Sequence, residues 1–242
     1  MSADIKAVRQ REAINHPTLG FSTRFPLGLR IGFWVCIVIA VAVVIRRIVA
    51  LATPPNPHAP PQLAALDAYF AAHAALTYVH ILCALAFVVL LPLLFWHRTR
   101  GSLALERAVF LIGVLVAITA YAMSAHAVGG WLERAAVLLF NSLFLFALYR
   151  AWSFARNGDR PQKKRWMLRA IAILLGIATT RPVMGIFFAT APLTHLVPSQ
   201  FFGIAFWIGF SLNTLVTELW LRAHPGPLAL GETELNRGPV RS

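Results

Sequence analysis

The chain has 242 residues, 58% of them hydrophobic and only 13% charged, with a mean hydropathy of +0.68. Soluble domains carry about 25% charged residues, so a soluble enzyme and a disordered chain are both excluded. The basic excess, 22 Lys and Arg against 9 Asp and Glu for a formal net charge of +13, is first a question of membrane threading and only then of nucleic-acid affinity.

About 20 apolar residues span a bilayer core of roughly 30 Å, and stretches of about 18 or more qualify as candidates. Residues 1–27 form a polar, basic tail. The first apolar stretch covers residues 28–52, starts far from the N-terminus and lacks a small-residue cleavage pattern, which predicts a retained anchor helix rather than a removed signal. Arg46 and Arg47 near its end can snorkel while Ile48 to Leu51 continue the helix. Residues 53–73 open with the run Thr53 to Pro61, in which five of nine residues are Pro; this predicts an extended external linker. Five further spans follow at 74–96, 108–127, 131–152, 167–190 and 201–222, together a membrane core over residues 74–222, and residues 223–242 form a second polar tail. Gly129-Gly130 leaves room only for a short turn, so the spans on either side are expected to be antiparallel neighbours. Pro182 removes a backbone donor inside the fifth span and predicts a kink there. Cys36 and Cys83 lie in apolar runs and read as small hydrophobes. No repeat of 20 to 50 residues and no inverted repeat is evident. The fold class is therefore an all-α polytopic bundle of six transmembrane helices, one anchor plus a five-helix core.

Basic residues stay in cytoplasmic loops. With the N-terminus inside, all but four of the 22 Lys and Arg fall on the cytoplasmic side; the exceptions are Arg46, Arg47 and Arg134 outside and Arg181 within the fifth span. Both termini are thus expected in the cytoplasm of a bacterial inner membrane, and the positive charge follows from orientation without any nucleic-acid partner. Trp34, Trp96, Trp131, Trp152 and Trp166 near span ends form the expected aromatic belt.

Ionisable groups inside a bilayer cost roughly 2.5 to 3.5 kcal/mol on insertion scales, so each needs a partner or a purpose. His73, Thr77, His80 and Ala84 recur at helical spacing on the second span, and Thr119, Ala122, Met123 and His126 form a similar face on the third. Arg134 and Asn141 align on the fourth, while Arg181 sits about nine residues from the outer end of the fifth. His80, His126, Asn141 and Arg181 are therefore the candidate lining of an outward-facing polar pocket. Glu218, near the inner end of the last span, is expected to pair with Arg165 or Arg169 in a structural role. No acidic residue is expected at the depth of Arg181, since residue counting puts Glu133 and Asp67 at or beyond the outer interface. The sequence has no Gly-rich phosphate loop, no paired-Cys or paired-His metal spacing and no nucleophile elbow, so no catalytic or metal residue is assigned.

From about residue 76 onward the chain resembles the bacterial membrane-protein family catalogued as domain of unknown function 2306. The matching elements, in order, are His80-Ile81, Gly129-Gly130, Arg165-Trp166-Met167-Leu168-Arg169, Arg181, and Trp207 with Asn213 and Glu218. The family often has His where this chain has Lys164, and His-Arg where Glu106-Arg107 stands. The resemblance implies a membrane module and supplies no reaction.

Three functions use these residues. In the first, a binding or transport module for a small anionic or lipid ligand uses Arg181 as anion contact, with His80, His126 and Asn141 completing the pocket. In the second, a b-type haem electron-transfer module takes His80 and His126 as axial ligands; His80 lies about six residues, or roughly 9 Å, below the outer end of its span, whereas His126 is near the end of the next. In the third, a structural or accessory subunit uses Arg169, Asn213 and Glu218, with the other polar groups, only to fix helix packing.

Overall fold

The computed structural model describes residues 26–54, 58, 60–95 and 102–224. The expected basic cluster Lys6 to Arg24, Trp96, Arg98, Arg100 and the tail beyond His224 lie outside the described residues. Within them the chain is all helical: α1 Leu27–Ala52, α2 Pro61–Ala72, α3 Ala74–Phe95, α4 Leu103–Ser124, α5 Gly130–Arg156, α6 Arg160–Thr194 and α7 Pro198–Ala223. All but α2 are long and apolar enough to cross a membrane. The shortest of these helices, at 22 residues, reaches about 33 Å at 1.5 Å per residue. At 35 residues, α6 extends beyond the hydrocarbon at one end or both.

Local chemistry sets the helix ends. Pro61 stands at the first position of α2, where its missing N–H costs nothing. Ser102 Oγ accepts from the Leu105 N–H at 3.4 Å to start α4, and Asp159 accepts from the Gln162 N–H at 3.0 Å to start α6. Gly130, at φ 60°, makes the tight turn from α4 into α5. At the far end of α6, His195 takes the left-handed conformation at φ 54° and closes the helix through a 2.8 Å bond from its N–H to the Ala191 carbonyl. The helix is continuous through Pro182 and Pro192.

Consecutive helices α3, α4, α5 and α6 pack side by side, and α1 packs against both α3 and α6. The five therefore form a closed ring. Outside it α7 lies in the groove between α5 and α6, and the short α2 bridges α1 and α3 at one end. Phe87, Val109, Ala117, Ala136, Phe144 and Ala170 fill the buried core. The outer surface exposes Leu111, Ile118, Phe146, Ile186, Leu212 and Leu219, an apolar exterior suited to lipid.

Small residues let α7 approach closely, the usual device where lipid supplies no hydrophobic drive for association. A Cβ on Gly209 would lie 2.7 Å from the Thr180 backbone nitrogen, and one on Gly203 would lie 2.8 Å from that of Glu133.

Candidate functional site: a cavity inside the helix ring

The ring encloses a cavity of about 230 Å³. Its polar wall lies at the end where α1 finishes and α3 begins, and is made by Arg47, Thr77, His80, His126, Glu133, Asn141 and Arg181. Deeper in the bundle the wall turns apolar at Val88, Phe144, Leu174 and Phe210. The four residues expected to share a pocket, His80, His126, Asn141 and Arg181, all stand in this one wall.

Helical spacing explains the arrangement on α3, where Thr77, His80 and Ala84 occupy one inward face. His80 Nδ1 meets Thr119 Oγ1 of α4 at 2.9 Å, and the Thr119 hydroxyl also lies 2.9 Å from the Leu115 carbonyl oxygen of its own helix. If the hydroxyl donates to that carbonyl, the imidazole donates to the hydroxyl. His126 is paired with a different neighbour: its ring packs on His73, centroids 4.0 Å apart. Asn141 Nδ2 donates to the Ala117 carbonyl at 2.9 Å, tying α5 to α4.

Arg181 is the least satisfied group. Its Nη1 lies 3.7 Å from Met184 Sδ, and its buried Nε finds no hydrogen-bond partner among the described residues. A guanidinium has five N–H donors in a planar fork. Glu133, which residue counting leaves at the interface, is buried and lines the same cavity. Its carboxylate forms no ion pair with Arg181; Oε2 instead accepts from the Gly129 N–H at 2.6 Å in the α4–α5 turn. Glu133 therefore serves the turn and leaves the guanidinium with only long-range compensation.

Arg47, which by its position can snorkel, turns inward and is buried in the cavity wall. Asp67 of α2 holds it there: Arg47 Nη1 donates to Oδ1 at 2.7 Å, and Arg46 donates to both carboxylate oxygens at 3.1 and 2.8 Å. The Arg47 guanidinium also lies over the Phe70 ring at 4.0 Å. The sequence carries no signal for this clasp beyond the presence of one Asp after a Pro-rich stretch. Three guanidiniums, Arg46, Arg47 and Arg181, thus face two carboxylates, Asp67 and Glu133, one fewer acidic side chain than basic ones.

The remaining polar residues stand apart from the cavity. Arg169 donates to Glu218 at 2.8 and 3.3 Å, and Arg222 reaches the same carboxylate at 3.0 Å. Arg165 is not the partner of Glu218. It donates to the Leu221 and His224 carbonyls at 2.6 and 2.8 Å, closing the C-terminal turn of α7. Asn213 Oδ1 accepts from Thr179 Oγ1 at 2.8 Å, and that hydroxyl lies 3.8 Å from Cys36 Sγ of α1. Trp207 Nε1 donates to the Leu132 carbonyl at 3.1 Å. Among the described residues no cluster of three or more His, Cys, Asp or Glu has metal-binding geometry.

The ordered motifs Gly129, Arg165, Arg169, Trp207, Asn213 and Glu218 therefore all act at the junction of α5, α6 and α7, while His80 and Arg181 line the cavity. A family model described as "Predicted membrane protein (DUF2306)" matches residues 77–221, which runs from the first turn of α3 to the end of α7. The chain belongs to the DUF2306 family. No curated protein and no solved structure matches it. The DUF2306 region leaves out α1 and α2, which here supply Arg47 and Phe70 to the cavity wall. Of its two departures from the family pattern, Glu106 forms an ion pair with Lys163, the neighbour of Lys164.

Proposed function

We propose that this protein is a binding or transport module for a small anionic or lipid ligand, held in a pocket that opens to the outer face of a bacterial inner membrane. Arg181 is the observation that carries this reading. A guanidinium in a membrane interior is costly, stays charged at accessible pH and is strongly matched by a carboxylate or phosphate in bidentate geometry. Nε of Arg181 donates to no described group, and the nearby carboxylate of Glu133 is committed to a backbone amide. An anion entering the cavity supplies the missing acceptor. His80, His126 and Asn141 complete the polar part of the lining, and the orientation with both termini in the cytoplasm puts that part on the external side.

The haem alternative is less well supported by the same cavity. Its volume falls below the roughly 300–1,000 Å³ of pockets for drug-sized ligands, and His80 and His126 are each engaged with a different neighbour. The accessory-subunit alternative accounts for Arg169, Asn213 and Glu218 and leaves Arg181 without an explanation.

Mass spectrometry of small molecules that copurify with the full chain tests the proposal. Wild-type protein is expected to carry an anion, Arg181→Leu to remain folded and lose it, and Arg181→Lys, which keeps charge without the fork, to retain part of it. A folded Arg181→Leu protein with the same bound species as wild type overturns the pocket and leaves the accessory-subunit reading.

A further inference from the structure

Resting on the pocket reading above, we infer that the ligand is a single-chain monocarboxylate of short to medium length, its carboxylate on Arg181 and its chain along Val88, Phe144 and Leu174. Three observations narrow the class. The wall and its clasp hold one more guanidinium than carboxylates, a difference that a single carboxylate evens out, whereas a phosphate monoester brings about −1.5 to −2 at neutral pH. The polar groups gather at one end of the cavity and the other end is apolar, so a fully hydrated inorganic ion would leave most of the wall without a match. The volume then sets the size. About 230 Å³, at roughly 30 Å³ for a water-sized group, holds roughly eight non-hydrogen groups. That accommodates a carboxylate with one chain of about six carbons or a small ring, and it excludes the two chains of a diacyl lipid.

Ala84 offers a way to separate head from chain. It lines the cavity one turn of α3 beyond His80, so a larger side chain there occupies chain space without touching the guanidinium. The probe is a diazirine-bearing pentanoic acid, photolysed with the full-length protein in phosphatidylcholine nanodiscs, and labelled peptides are mapped by mass spectrometry. Label is expected on the segments around Val88, Phe144 and Leu174, competed by hexanoate and untouched by hexylamine. Arg181→Leu should cut it at least tenfold, Arg181→Lys less, and Ala84→Leu several-fold, each variant being checked for helicity and a monodisperse elution profile.

Equal competition by acetate or inorganic phosphate removes the role of the chain and overturns the monocarboxylate inference, while the anion pocket stands. Competition by a diacyl phosphatidate as strong as by hexanoate overturns the single-chain assignment. Unchanged labelling in folded Arg181→Leu and Arg181→Lys proteins overturns the inference and the pocket together.

Discussion

At the scale of single residues, two kinds of contact hold α7 to the bundle, and each responds to substitution in its own way. The Gly209 contact is steric, because an added methyl meets the Thr180 backbone nitrogen at 2.7 Å and the Thr180 Cγ2 at 2.6 Å. Backbone cannot move aside as the end of a flexible side chain does, so Gly209→Ala is expected to destabilise by about 1–3 kcal/mol, the range for overpacking. The Glu218 contact is electrostatic: Glu218→Gln leaves Arg169 and Arg222 without their shared carboxylate, and solvent-accessible ion pairs of this kind are worth about 0.2–1 kcal/mol each. Both variants should lower the melting temperature while leaving photolabelling of the cavity within twofold of wild type, because neither residue lines the cavity. A tenfold loss of labelling in either one would show that the α5, α6 and α7 junction and the cavity act as one unit.

Among the elements, α1 and α2 matter most for how the cavity is bounded. The first helix walls one side with Ala40, Val41, Val44 and Arg47, and its inward guanidinium depends on Asp67 of α2. Asp67→Asn keeps the shape of the clasp and removes its charge. The expected outcome is faster amide hydrogen exchange over residues 61–72 with unchanged exchange in α4 to α6; protection of α2 equal to wild type would show that packing of Phe70 suffices without the ion pairs. The six membrane helices were legible in the sequence because each apolar run is long, and His80, Asn141 and Arg181 were legible because polar side chains stand out in such runs. The helical part of the linker was not, since twelve residues opening on a proline give α2 neither length nor a clear apolar face. Arg47 and Glu133 are both buried near helix ends, where counting residues predicts an interfacial side chain. Asp67 of α2 holds the first inward, and the Gly129 amide at the start of its own helix holds the second.

For the molecule as a whole, the asymmetry of basic residues predicts a direction for the bundle. A reporter fused after Ser242 is expected to read cytoplasmic, and one inserted between residues 55 and 57 external; the reverse pattern would turn the polar end of the cavity toward the cytoplasm and reassign its source of ligand. The closed ring also has a consequence in time. Its seam joins α1 to α6, where Cys36 and Thr179 meet although 143 residues separate them along the chain. During synthesis α1 enters the bilayer first and has α3 beside it early, but its second neighbour does not exist until most of the protein has been made. Until then the inner face of α1 borders lipid, and α1, α3, α4 and α5 form an open crescent. The wall of the cavity is thus incomplete until α6 and then Phe210 of α7 are in place, and a chain interrupted before α6 is inserted in the membrane without it.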